Sequence, residues 1–387
     1  MTSRFCMWLC FGLAMTILIG RSAAQEPNAP ASDSNAVSTG ATLSQWRDLT
    51  APMRQASQAF PSAAEDCAAI YDPIAHALVL FGGKDDHNEN LSEVWALDLN
   101  ANVWQKLAVE GASPPASEDH VALYDPLSHR MILHGGENGP TWNQTWSFDL
   151  KARRWRDMTD STAPRREDHT AVLDSRGKRM VIFGGRDSRR ANLYEMWALN
   201  LNPQSPRFEK WKNLTAEENH PPGRVDHVAV YDRKKNRMVL YGGWDKDENE
   251  CFDDTWAFMF ANRPDSIGHW RKLKTRHLHP PERRHAVSVY DEARNLFIIC
   301  GGYGDKGYIN DVWAFDLTSN VWINITPGPR PRLDHQAIYD PRSRRMLLWG
   351  GDAKLENKFH DLWELAITPD WSLDSLRETR PPKISVK

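Results

Sequence analysis

The sequence predicts an all-β protein built as an array of six copies of one repeat. Three observations carry this. A Gly-Gly pair recurs six times, at Gly82, Gly135, Gly184, Gly242, Gly301 and Gly350, with intervals of 53, 49, 58, 59 and 49 residues. A tryptophan follows every pair, and a second follows in five of the six copies. A lone Trp segment near the N-terminus supplies what the last copy lacks.

A period near fifty residues marks an array of supersecondary units. A short apolar run precedes each pair, as in Ala77-Leu78-Val79-Leu80-Phe81, and reads as a buried strand. Ten to thirteen residues after the second Gly stand Trp95, Trp146, Trp197, Trp256, Trp313 and Trp363. Trp104, Trp155, Trp211, Trp270 and Trp322 come nine to fourteen residues later. Upstream of each pair an Asp turn closes a strand, as in Tyr71-Asp72-Pro73 and Tyr339-Asp340-Pro341. With 17 Trp, 23 Gly and 24 Pro among 387 residues, turns and large aromatics favour sheet over helix.

These residues resemble the kelch motif: a strand ending in Gly-Gly, a Trp-bearing strand, then another Trp. The resemblance covers residues 44–371 and implies a six-bladed kelch β-propeller, each repeat one blade around a central channel. The third residue after the second Trp is apolar in five copies: Leu107, Met158, Leu214, Leu273 and Ile325. Leu49 stands in that relation to Trp46, whereas Asp374 follows Trp371. Trp46–Thr50 is therefore expected to be the outer strand of blade six, paired near Leu362–Ile367, which closes the ring and hides both edges.

The N-terminus reads as an address. Arg4, an apolar run from Phe5 to Ile19 and Ser22-Ala23-Ala24 make 1–24 a signal peptide, cleaved after Ala24. Residues 25–43 read as a flexible linker and 372–387 as a C-terminal tail. The expected protein is secreted or periplasmic, monomeric, and has no membrane span once mature. Export leaves 46 basic against 51 acidic residues, with no basic stripe for nucleic acid. It also leaves Cys67, Cys251 and Cys300, whose spacing matches no disulfide framework.

Strand-opening residues Cys67, His120, His169, His227, His285 and His335 lie 15 residues before the first Gly, or 16 in blade five. Just before them stand Asp66, Asp119, Asp168, Asp226, Arg284 and Asp334. Where kelch repeats commonly read Arg-x-Gly-His, Asp replaces Gly here. The expectation is an acidic collar with a basic gap at blade five, at the mouth of the channel. The bland alternative is that each Asp only fixes its own turn. The loops after Gly-Gly share that mouth and add candidate binding residues His87, Trp142, Arg186, Tyr194, Trp244 and Tyr303, alongside Phe252 and Phe359. Six side chains spaced roughly 10 Å apart cannot share one metal ion. No cofactor is expected, and the repeat His residues are expected to bond between blades.

No phosphate loop, Cys-x-x-Cys or nucleophile motif is present. The function expected is an exported binding scaffold that grips a protein or glycan ligand at its mouth. The alternative is a carbohydrate mutarotase or epimerase working in the channel, by likeness to the six-bladed, exported sialic acid mutarotase family.

Overall fold

The computed structural model describes residues 46–57, 59–62, 65–261, 267–275, 278–353 and 358–367. The expected signal peptide, linker, Trp371 and tail lie outside the described residues.

Six four-stranded antiparallel sheets form the six blades. Blade one runs Ala68–Asp72, Ala77–Phe81, Val94–Asp98 and Val103–Lys106. Blade two runs Glu118–Asp125, Arg130–Glu137, Thr145–Asp149 and Arg154–Asp157. Blade three runs Thr170–Asp174, Arg179–Phe183, Met196–Asn200 and Trp211–Asn213. Blade four runs Val228–Asp232, Arg237–Tyr241, Thr255–Met259 and His269–Lys272. Blade five runs Val287–Asp291, Leu296–Cys300, Asp311–Asp316 and Val321–Pro327. Blade six runs Gln336–Asp340, Arg345–Trp349 and Leu362–Ala366, and its fourth strand is Trp46–Asp48. The first strands of all six blades touch in a ring around one axis.

The closure occurs where the Trp spacing places it. Trp46 pairs with Leu365, Arg47 with Glu364 and Asp48 with Trp363. The Leu49 N–H then donates to the Leu362 carbonyl at 2.8 Å. A short helix, Thr50–Ala56, follows and buries Met53. The repeat pattern gives no sign of this helix, because it occurs once.

Packing explains why the tryptophans repeat. A radial sheet has two faces to bury, and its neighbours supply the cover. Six separate apolar clusters fill the six junctions. In each, the outer-strand Trp packs against the preceding blade, just below its Gly-Gly pair. Trp155 meets Phe81 with ring centroids 4.9 Å apart, Trp270 meets Phe183 at 4.8 Å, and Trp322 meets Tyr241 at 4.9 Å. At the seam between blades six and one, Trp104 lies 5.0 Å from Trp349. Trp46 plays this part between blades five and six.

The Asp turns hold the opposite end of each first strand. Asp72 Oδ1 accepts the N–H of Ile74 at 2.8 Å and of Ala75 at 3.2 Å. The same aspartate reaches His129 of blade two at 3.2 Å, so a turn residue also links blades.

Trp104→Ala is expected to cost about 3–5 kcal/mol, because it opens a cavity at a fully buried junction. Trp46 is half-buried and should cost less when replaced. Urea unfolding of the two variants checks the order. Equal losses would mean that the seam at Trp104 is not a packed junction.

Candidate functional site

The mouth is built from the residues that enter each first strand. Asp66, Asp119, Asp168, Asp226 and Asp334 line a cavity of about 270 Å³ on the axis. All five hold a left-handed backbone, with φ of 53–55°. Asp tolerates this region better than most side chains do, which is why it can stand where Gly would fit.

Blade five departs from the sequence expectation. The collar residue there, with φ 53°, is His285 rather than Arg284. Ala286 takes the place of the repeat His, and the strand begins at Val287. The spacing of 16 instead of 15 residues holds the cause: aligned on Gly301, every residue of this stretch moves by one. Arg284 instead lies over the Trp244 ring, 3.7 Å from its centroid, and 5.2 Å from that of Tyr303.

The remaining candidates divide. Arg186 joins the collar, with Nε 3.3 Å from Asp168 Oδ2. Trp244 and Tyr303 form the stack around Arg284, next to the collar. Trp142, His87 and Tyr194 are not among the residues lining the mouth cavity. Trp142 is half-buried, His87 is exposed, and Tyr194 stacks on His220 at 4.2 Å. Phe252 and Phe359 lie against buried arginines, Arg224 at 4.1 Å and Arg332 at 4.3 Å.

Sequence reasoning assigned no role to those arginines, yet they fix the mouth. Arg166, Arg224, Arg283 and Arg332 are all buried. Each donates through Nη1 to the carbonyl of its own blade's first Gly, at 2.9, 2.8, 3.1 and 2.8 Å. All four also grip the acid two residues before the Trp. Asp254, for one, in turn accepts the Trp256 indole N–H at 2.7 Å. Their signal is visible in retrospect: three of the four stand three residues before the repeat His, and Arg283 stands three before Ala286.

Two of the repeat His residues bond to the preceding blade as expected, whereas neither ring nitrogen of the buried His169 has a hydrogen-bond partner among the described residues. His120 Nε2 lies 3.2 Å from the Phe81 carbonyl of blade one, and His227 Nε2 lies 2.7 Å from Thr170 Oγ1 of blade three. Burial lowers their basicity, to about 4 for His120 and about 3 for His227. They are neutral at pH 7.

The collar is electrically uneven. Burial pushes Asp168 up, but Lys246, 2.8 Å away, and Arg186 outweigh it and hold the carboxyl low. His285 bridges Asp226 at 3.3 Å and Asp334 at 2.6 Å. Burial opposes its charge, yet these two carboxylates raise it to about 9. Asp226 is held up to about 7 by burial and by Asp168, against His285 and Lys246. On the other side of the ring, Asp66 and Asp119 have no hydrogen bond or ion pair to their carboxylates among the described residues. Burial first, then neighbouring carboxylates, raises both well above the ordinary range. Carboxylate oxygens of Asp66, Glu118 and Asp119 lie within 4.8 Å of one another, and Lys84 is bonded to Glu118. These three are the residues best placed to hold a cation.

Residues 31–202 and 205–329 match the KLHDC2/KLHL20/DRC7 Kelch-repeats domain. The chain belongs to the kelch-repeat family. Similar proteins include adagio-like protein 1 of Oryza sativa subsp. japonica, 28% identical over 313 residues, covering 74% of this chain and 47% of that one. Kelch domain-containing protein 3 of Bos taurus is 25% identical over 243 residues, 58% of each chain. The chain spans about half the length of the adagio-like relatives it matches. Among the described residues, no helix is long and apolar enough to cross a membrane.

In this kelch ring the charge on His285 makes stability depend on alkaline pH. Its folded value lies above the unfolded one of about 6.5, so its contribution is full below that pH and is lost as pH rises through about 9. Asp226, raised to about 7, acts in the same direction over a lower range. Thermal melting from pH 6 to 10 should show falling stability, with a shallower fall in His285→Gln. An unchanged slope in that variant would show that His285 does not carry the charge.

Proposed function

We propose that this kelch propeller is an interaction scaffold that seats a cationic group of a protein ligand, a lysine or arginine side chain, in the arc formed by Asp66, Glu118 and Asp119. Kelch propellers are common protein-interaction scaffolds, and that is the level at which family membership speaks. The observation that carries the finer reading is the unevenness of the collar. Three of its aspartates are paired with Lys246, Arg186 and His285, while two half-buried carboxylates, Asp66 and Asp119, face each other with no ion pair of their own among the described residues, the nearby Lys84 being bonded to Glu118. An incoming ammonium or guanidinium would relieve that repulsion and form charge-assisted hydrogen bonds in a partly desolvated site. Because the two carboxyls hold protons above the ordinary range, a cation must displace them, so affinity should rise with pH. The Arg284 stack on Trp244 and Tyr303 offers a flat, amphipathic rim across the mouth from the arc.

A displayed random-peptide library, selected against the full chain, tests this reading, with a glycan array run in parallel. Recovered peptides should carry Lys or Arg, and Asp66→Asn/Asp119→Asn should weaken them roughly tenfold or more. Asn accepts the same left-handed backbone, so the ring should survive the change. Peptides lacking basic residues, binding indifferent to the double variant, or ligands found only on the glycan array would contradict it.

The reading includes export, supported by the apolar N-terminal run and the small residues before Gln25. Intact mass of the chain recovered after expression with an active secretion pathway should correspond to a start at Gln25. A mass that retains Met1 would remove this part of the proposal.

A further inference from the structure

The face away from the mouth holds a larger cavity, about 630 Å³, between blades three and four. That lies within the range of roughly 300–1,000 Å³ common for small-ligand sites. Its outer wall is the long connection between the third and fourth strands of blade three; in blade four those strands are also widely spaced, the third ending at Met259 and the fourth beginning at His269. In blades one and two the third and fourth strands are joined by short turns, Leu99–Asn102 and Leu150–Arg153. In blade three the connection runs from Leu201 to Lys210.

This longer segment is folded. Asn200 Nδ2 donates to Ser205 Oγ at 3.0 Å, and Asn202 receives the Ser205 N–H on its carbonyl at 2.9 Å. The Phe208 N–H donates to the Ser205 carbonyl at 3.0 Å, and the Glu209 N–H to the Asn200 carbonyl at 2.7 Å. The wall is thus held by its own hydrogen bonds.

The lining is strongly positive. Arg176, Lys178, Arg179, Arg207, Lys210 and Lys212 face one acid, Asp174. That acid is already used: it accepts Arg179 Nε at 2.8 Å and the Gly177 N–H at 2.8 Å. Lys210 reaches Asp160 at 3.3 Å, and Arg176 donates to the Arg233 carbonyl at 2.7 Å. The side chains of Lys178, Arg207 and Lys212 have no hydrogen bond or ion pair among the described residues, and Lys212 is half-buried. Like charges around a concave space repel, and an anion placed among them removes the cost. Ser205 and the Asn202 side chain add neutral polar groups at the same wall.

We propose that this cavity binds a small organic phosphate or sulfate ester, its oxyanion held by Lys178, Arg207 and Lys212. The site is separate from the mouth and does not depend on what the mouth binds.

Calorimetric titration of the full chain with glucose 6-phosphate, glucose 6-sulfate and glucose tests it. One or both esters should bind, glucose should not, and affinity should fall as salt is added. Which ester binds tells phosphate from sulfate as the source. Lys178→Gln/Arg207→Gln/Lys212→Gln should weaken the ester roughly tenfold or more, while Asp66→Asn/Asp119→Asn leaves it unchanged. Lys178→Glu, at an exposed position, is the second variant and should also weaken it. Absence of binding by both esters, or full affinity in the charge variants, overturns the proposal. So does loss of ester binding in the mouth variant alone.

Discussion

The structure depends on a row of backbone hydrogen bonds around the channel mouth. Six strands meet so closely there that the chain must turn in a left-handed conformation. The Asp66 N–H donates to the Asp334 carbonyl at 3.1 Å, Asp168 to Asp119 at 3.3 Å, Asp226 to Asp168 at 3.1 Å and His285 to Asp226 at 3.2 Å. One of these bonds, from Asp66 to Asp334, joins blade one to blade six. The neighbouring Gly-Gly pairs are the other half of the fit. A Cβ on Gly135 would sit 2.3 Å from the Arg166 carbonyl and 2.8 Å from the His169 ring. One on Gly136 would sit 2.5 Å from the Glu118 carbonyl. The backbone of the next blade therefore occupies the space that a side chain at Gly135 would need, and the first strand of the same blade occupies that at Gly136.

This geometry sets the electrostatics. Because the collar backbone is fixed by its neighbours, five carboxylates cannot spread apart. The chain answers with Lys246 and Arg186 from the loops of blades four and three, and with His285 from the collar of blade five. Lys84 and Lys358 answer the acids one residue farther out, Glu118 and Glu65, the latter at 3.0 Å. Asp66 and Asp119 are left over. An uneven ring on a nearly symmetric scaffold points to a directional site, since six identical turns would need no such distribution of cations.

The parts of this structure that repeat were legible in the sequence. Six Gly-Gly pairs and their tryptophans determine blade number, and the offset from Trp46 to Leu49 determines how the ring closes. What repeats less regularly was harder. The exchange of Arg284 for His285 at the collar hinged on one extra residue in blade five, where alignment on the His conflicts with alignment on the Gly. Close packing at the axis decides in favour of the Gly. The buried Arg spokes were hidden because an arginine in a polar loop looks solvated until its acid, 28 to 30 residues later, is folded against it. The pairing of Arg284 with Trp244 and Tyr303 joins side chains from blades four and five, and spacing says nothing about such contacts.

Native-state hydrogen exchange at the collar amides measures the founding constraint directly. If this row of bonds holds the blades together, the N–H groups of Asp66, Asp168, Asp226 and His285 should exchange only through global unfolding, with the full denaturant dependence of that event. Fast exchange at these four amides, independent of denaturant, would show that the mouth opens locally and that its carboxylates are not held where they are described.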